Sequence, residues 1–502
     1  MVVNYIVVQA GGKGTRLEHF TENKPKALCP IDNLPMLFHL FRKFPHKKFV
    51  IIGDYKKEVL EKYLEVFSNV EYLFVEADEK GTCGGVRKAM SWLPENQPLM
   101  LIWSDLVLGE KFSLDNLEEK NYVGLSKGFE CRWSFAENVF THKKSTIHGV
   151  AGVFIFKSKQ LLDQVPTTGE FVKWLSQKEI QCEGLDLDGA REYGTVEAIR
   201  QRMSEHMRCR PFNKIQVCDN KVIKMPIDSQ GEALSVNEKN WYRKVASQGY
   251  RQIPKIYSYD PLTMEKIKGI NLFQTNLSRE EKKTVIHKLI VTMKDLHNLE
   301  PSPRDYFSVY ETYYTKTLKR IESVRRLIPF AENKEIVING KACRNIFHHT
   351  DAFKQKVKEI MPDTHFSVIH GDCTFSNILV DEAMDIKLID PRGYFGSLRV
   401  YGDSDYDWAK LYYSIYGDYD QFNNKNFQLS MDEKGAQLTI KTSGWRELSD
   451  YYLRSLGKVD TDKIKFLHAI IWLSLTTYTW EDYDAICAAF YNGIYYLDEF
   501  LR

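Results

Sequence analysis

Apolar residues form short β-branched runs at 6–8, 49–52, 72–75, 99–103 and 150–156, and between them 36–44, 57–67 and 84–92 carry apolar positions at helical spacing. This alternation predicts an α/β layered sheet with right-handed crossovers and mostly parallel strands. The rhythm breaks at the polar and basic run 204–210, which precedes Pro211 and places a domain boundary between residues 207 and 208. Beyond it, 214–217 and 221–225 predict a hairpin turning at Asp219-Asn220. Ser278-Arg279-Glu280-Glu281 then has capping-box form ahead of Val285, Ile286, Leu289, Ile290, Met293 and Leu296. The rest reads as mostly helical, with a strand-loop-strand exception over 366–389.

Composition narrows the class. At 502 residues the chain exceeds one ordinary core, and its 43% hydrophobic and 27% charged residues are those of a soluble globular protein. The 69 basic and 67 acidic residues nearly cancel, so no overall field favours nucleic acid or an anionic membrane, and the expected partner is a small molecule. A homo-oligomer is compatible with this surface. The 9 cysteines are odd in number and lack CxxC spacing, which points to reduced thiols and a cytoplasmic setting instead of disulfides or structural zinc. Residues 1–8 lack a basic leader and read as a strand. The apolar stretch 466–480 is broken by His468, Ser474 and three threonines, so it reads as a buried helix and no membrane insertion is expected.

Two segments carry phosphate chemistry. Near the start, Gly11-Gly12-Lys13-Gly14-Thr15-Arg16-Leu17 follows a strand, and glycines there let backbone N–H groups approach a triphosphate. Arg16 and Lys24-Pro25-Lys26 add cations. A plain glycine turn after a strand explains a lone GGxG equally well. The wider series of GGKGTRL, KPKAL, Gly81-Thr82-Cys83-Gly84-Gly85 and Trp103-Ser104-Asp105 resembles the sugar-nucleotide pyrophosphorylase and cytidylyltransferase superfamily over roughly residues 1–205.

That resemblance implies a Rossmann-like mixed-sheet nucleotidyltransferase domain over 1–207, in which a phosphate monoester attacks the α-phosphate of an NTP and pyrophosphate leaves with Mg²⁺ assistance. Gly11, Gly12, Gly14 and Thr15 would line the phosphates. Arg16 and Lys26 would neutralise charge, Asp105 would hold Mg²⁺, and Gly81 and Thr82 would contact the base. Glu192-Tyr193-Gly194-Thr195 resembles the superfamily's Asp-x-Gly-Thr metal segment with glutamate in place of aspartate, which makes Glu192 a second metal candidate.

Later, His370-Gly371-Asp372 with Asn377, followed by Asp390, has the acids and amide of a phosphotransfer loop: an acid to take the acceptor's proton and two oxygen ligands for Mg²⁺. These residues resemble the aminoglycoside phosphotransferase and choline kinase family. The resemblance implies a bilobal protein-kinase-like α+β domain over 208–502, with an N-lobe at 208–270 and a helical C-lobe at 271–502. It makes Asp372 the catalytic base, Asn377 and Asp390 metal ligands, and Lys224 the ATP-phosphate lysine. Glu238 would pair with Lys224, with Glu232 the competitor. The stretch 262–269 resembles the inter-lobe hinge and puts Glu265 and Ile267 beside adenine. Asp407 would brace the catalytic loop. No GxGxxG lies between the first two strands, and Asp390-Pro391-Arg392-Gly393 replaces Asp-Phe-Gly with a stiffer segment.

Together the resemblances imply a bifunctional enzyme. The rear half would phosphorylate a small alcohol with ATP, and the front half would couple that phosphate to a second NTP, CTP favoured, as a precursor for cell-surface glycoconjugates. A sugar or polyol acceptor is preferred slightly. Choline is the alternative, for which the tyrosines and tryptophans of 412–496 offer rings for a quaternary ammonium cage. A further alternative makes one half a silent binding module.

Overall fold

Nine strands of the N-terminal region join in one mixed sheet around Tyr5–Gln9. That strand runs parallel to Lys48–Gly53 on one side and Leu99–Trp103 on the other, and Tyr72–Glu76 extends the parallel set. Beyond Leu99–Trp103 the direction reverses: Gly149–Phe156 is antiparallel to it and to Asn121–Ser126. The sheet is therefore mixed instead of mostly parallel. Strands 121–126, 134–136, 139–141 and 182–186 are shorter or less apolar than the alternating runs and escape a periodicity reading.

Helices Met36–Lys43, Lys57–Phe67 and Cys83–Met90 cover the sheet. In the first, Phe41 meets Phe49 edge-on at 4.8 Å and Phe38 meets Tyr63 at 5.8 Å. Burial of each such ring stabilises by about 1.5–3 kcal/mol. Cys83–Met90 lies so near the sheet that a Cβ on Gly85 would come within 2.4 Å of Ile52 Cγ2, which reserves the position for glycine. In register, Gln9 lies beside Ile52 and Trp103, so the loops after strands 5–9 and 99–103 leave from the same edge.

The computed structural model describes residues 1–77, 81–205, 213–361 and 365–501. These divide into a first compact unit, Met1–Met207 with Glu481–Asp484, and a second, Arg208–Trp480 with Ala485–Arg502. Most of the expected boundary run 204–210 lies outside the described residues. Among the described residues, no helix is long and apolar enough to cross a membrane, and no disulfide joins the cysteines.

The second unit opens with an antiparallel sheet ordered Asn213–Val217, Lys221–Pro226, Leu262–Glu265, Ile256–Tyr259. Helix Ser229–Ser247 follows the second strand, its N-terminus capped by Asp228, which accepts from Gly231 N at 2.7 Å. Helix Arg279–His297 begins with the complete capping box of Ser278 and Glu281. The rest holds more strand than the single exception expected at 366–389. Glu335–Ile338, Lys341–Arg344, Phe427–Asp432 and Gly435–Ile440 form a four-stranded sheet. Its strands alternate exposed and buried residues over only four to six positions, too briefly to stand out among helices. A π-helical turn, Glu311–Thr315, interrupts the helical run between Tyr306–Tyr310 and Lys316–Val324.

Candidate functional site

In the first unit, Gly14 adopts φ +63° and turns the chain from the central strand into the 3₁₀ segment Thr15–Thr21. A Cβ on Gly11 would strike Asp54 at 2.5 Å, and one on Gly12 would sit 3.7 Å from Lys26 Cε. Lys26 N donates to Gly12 O at 3.4 Å, and its ammonium pairs with the buried carboxylate of Asp105. Glu192 stands beside them: its short strand pairs antiparallel with 106–107, and Tyr193 N donates to Asp105 O at 3.0 Å. Arg16, 64% exposed, reaches Glu192 Oε1 at 3.2 Å. Gly194 packs beneath this pair, since a Cβ there would lie 2.4 Å from Glu192 Oε1 and 2.8 Å from Arg16. Burial and the Asp105 charge push the Glu192 carboxyl above its ordinary range, while Arg16 and Lys26 pull it back.

Thus Arg16, Lys26, Asp105 and Glu192 come together, and two neighbouring carboxylates suit a divalent cation. Gly81, at φ +97°, bridges to Gly169. Thr82 O accepts from Gln9 Nε2 at 2.8 Å, which ties it to the end of the central strand, and Thr82 Oγ1 accepts from Phe171 N at 2.8 Å, so the hydroxyl also serves the fold. Thr15 is exposed. Lys24 departs from expectation. It is 2% exposed and its ammonium pairs with Asp482 at 3.0 Å and with Asp484, which removes it from any phosphate. Those carboxylates lie too far along the chain for a local reading to connect them with it.

In the second unit, Lys224 Nζ donates to Glu238 at 2.8 Å and to Asp390 at 2.9 Å. Burial disfavours this ammonium, but Asp390 and Glu238 outweigh it and hold its pKa above the lysine norm. Of the two glutamates considered, Glu238 is the one Lys224 meets. Strands Ile378–Val380 and Ile386–Leu388 pair antiparallel, and Ile389 N donates to Asn377 O at 3.0 Å. This brings the loop with Asp372 and Asn377 against Asp390, whose φ of +54° is rare for a non-glycine residue. The fully buried Asp407 clamps the loop by accepting from His370 N at 2.8 Å and Gly371 N at 2.7 Å. Asn377 Nδ2 donates to Asp372 O at 2.8 Å and Oδ2 at 3.2 Å, which leaves its amide oxygen as the atom that could meet a cation.

Among the described residues no three His, Cys, Asp or Glu side chains cluster to hold a metal alone. Asp390 with Asn377, and Asp105 with Glu192, suit a Mg²⁺ that shares its coordination with substrate phosphates. Glu265 pairs with Lys255 through its backbone N–H at 2.8 Å and its carboxylate at 3.2 Å, and Ile267 follows it, half-buried.

Sequence reasoning missed Lys410, whose ammonium lies 3.1 Å from Asp372. Its spacing of three from Asp407 on helix Ser404–Ile415 was the available signal. Four of the rings considered for an ammonium cage are otherwise engaged. Tyr412, Tyr413, Tyr416 and Tyr496 surround buried His468 at 4.6–5.9 Å, so the space is filled.

Residues 6–119 match the family model of the MobA-like NTP transferase domain. The chain is 31% identical over 123 residues to the bifunctional protein GlmU of Methanococcus vannielii, covering 24% of this chain and 29% of that protein. It is 33% identical over 100 residues to the UTP–glucose-1-phosphate uridylyltransferase AglF of Haloferax volcanii, covering 19% and 41%. The chain thus spans less than half the length of these relatives. Among solved structures, HddC from Yersinia pseudotuberculosis aligns at 19% identity and a TM-score of 0.35, covering 40% of this chain and 99% of that one. The N-terminal region of the chain carries a MobA-like NTP transferase domain over residues 6–119.

Proposed function

We propose that the chain is a bifunctional enzyme whose second unit phosphorylates a small alcohol with ATP and whose first unit couples the resulting phosphate to a second NTP, CTP favoured, releasing pyrophosphate. The observation that carries the kinase half is Lys224 held between Glu238 at 2.8 Å and Asp390 at 2.9 Å, an arrangement suited to steady the phosphates of ATP. The nucleotidyltransferase half is supported by the match over residues 6–119 and by Lys26 and Arg16 gathered against Asp105 and Glu192.

In the second unit, the Asp372 carboxylate takes the proton of the acceptor hydroxyl as its oxygen meets the γ-phosphorus, and ADP departs. In the first, Lys26 and Arg16 neutralise the attacking phosphate and the triphosphate. Mg²⁺ held by Asn377 and Asp390, and by Asp105 and Glu192, would supply charge neutralisation at the phosphate oxygens.

A matrix of four NTPs against candidate phosphates, read by pyrophosphate release and run beside an ATP-consumption assay, tests both halves. Asp372→Asn is expected to stop acceptor-dependent ATP consumption and leave pyrophosphate release from supplied phosphate intact. Asp105→Ala is expected to do the reverse. Unchanged ATP consumption in Asp372→Asn with every acceptor would remove the kinase assignment, and loss of both activities in Asp105→Ala would remove the separation into two sites.

A further inference from the structure

The second unit contains a small partly open cleft lined by Lys316, Arg320, Arg392, Tyr406, Thr312 and Ser474, with two isoleucines of helix Thr461–Leu475. Three cationic side chains share this space, and among the described residues none of them forms an ion pair. Arg320 is aimed by Ser474 O at 3.1 Å and Tyr478 Oη at 3.0 Å, and Arg392 by Tyr406 Oη at 3.2 Å and by stacking on Tyr394 at 4.3 Å. Thr312, 5% exposed, keeps a buried Oγ1 without a hydrogen-bond partner. It lies in the π-helical turn that ends one residue before Lys316. Such a convergence of guanidinium forks, an ammonium and an unpartnered hydroxyl is what an oxyanion requires.

The cleft adjoins the phosphotransfer loop. Arg392 N donates to His370 O at 2.9 Å, and Tyr406 lies 5.9 Å from the Lys410 ammonium that meets Asp372. We propose that the acceptor alcohol carries a compact oxyanion, a phosphate or a carboxylate, and that Lys316, Arg320 and Arg392 receive it. The proposal rests on the kinase reading above and names its substrate class. A quaternary ammonium would meet like charges here and is not the acceptor this site favours. Burial, with Arg392 and Arg320, pushes the Lys316 ammonium down to about 7, opposed more weakly by Glu311, so an anion seated among them relieves both costs. In the reaction, the acceptor hydroxyl oxygen bonds to the γ-phosphorus, the bond to the β–γ bridging oxygen breaks, ADP leaves, and the hydroxyl proton passes to Asp372.

The test uses the full chain with ATP and matched acceptors: glycerol 3-phosphate and ribose 5-phosphate, glycerate and gluconate, neutral glycerol and ribose, and choline. One class of anionic acceptor is expected to exceed its neutral parent about 100-fold in kcat/KM, the phosphate and carboxylate arms showing which oxyanion is meant. Lys316→Gln with Arg320→Gln is expected to raise the acceptor KM about 30-fold or more with kcat changed less than about threefold, while Lys316→Arg retains binding. Lys316→Gln alone breaks no hydrogen bond among the described residues and carries the test if the double variant fails to fold. In parallel, inorganic phosphate is titrated calorimetrically in the presence of β,γ-imido-ATP and CTP, which occupy the nucleotide sites, and the variant is expected to lose one phosphate site. A preference for a neutral alcohol or choline with KM unchanged in the variant, or identical phosphate titrations, would overturn the proposal. If no acceptor supports ATP consumption yet the variant loses its phosphate site, the kinase reading falls and the oxyanion site stands.

Discussion

The ammonium of Lys410 lies 3.1 Å from Asp372 Oδ1, burying a cation against the carboxylate proposed above as the base. Asp372, outweighing the burial cost, holds the Lys410 pKa above the lysine norm. Lys410→Met leaves Asp372 without this partner. We expect kcat for phosphorylation to fall about 10- to 100-fold with KM for ATP unchanged, measured by steady-state kinetics.

Gly81 and Gly169 separate steric clash from backbone strain. At Gly81, φ is +97° and a Cβ would lie 2.2 Å from Gly169 O, whereas Gly169, at φ +109°, has open space around the same position. Gly81→Ala is expected to destabilise the first unit by about 2–4 kcal/mol and Gly169→Ala by about 1–2 kcal/mol. Denaturant titrations of the two variants check the order, and equal losses would show that the contact with Gly169 O contributes nothing.

Glu192 sits above its ordinary range through burial and the Asp105 charge. A bound cation must displace any proton it carries, so the Mg²⁺ concentration for half-maximal pyrophosphate release is expected to rise as pH falls into the acid range. Glu192→Gln is expected to raise that concentration about tenfold or more at neutral pH and to flatten its pH dependence.

His468 is buried, accepts from Trp472 Nε1 at 3.0 Å, and is pushed down to about 3 by burial, with Arg446 adding to the effect. The unfolded imidazole takes a proton below about 6.5 while the folded one stays neutral to about pH 3, so the unfolded state binds more protons in that window. Stability of the second unit should therefore fall on acidification from pH 6.5 toward 3, by at most about 1.4 kcal/mol per pH unit from this group. His468→Gln should reduce that slope in urea titrations at several pH values, even if it lowers stability at pH 7.

The parallel strands, their crossover helices, the hairpin at 213–226 and the Ser278 capping box were legible because each is written within a few consecutive residues. The sheet built from 335–344 and 427–440 was not, because its two hairpins are far apart in sequence and meet where Ile338 pairs with Ala436. The same distinction runs through the candidate sites. Arg16, Lys26, Asp105, Asp372, Asn377 and Asp390 stand in recognisable strings. Lys316, Arg320 and Arg392 come from separated segments whose convergence depends on the fold. Lys24 shows the converse error, since its place in Lys24-Pro25-Lys26 suggested shared duty with Lys26, yet one lysine lies against Asp105 and the other is buried between Asp482 and Asp484.

That buried lysine makes the first unit discontinuous in sequence. Residues 1–207 cut out as a separate chain would retain Lys24 and lose both carboxylates that neutralise it, stranding a desolvated ammonium at a cost of about 3–5 kcal/mol. Dissecting the two proposed activities by truncation would therefore confound loss of fold with loss of function. Point substitutions in the intact polypeptide, or an excised chain that also carries Lys24→Met, would keep the two apart.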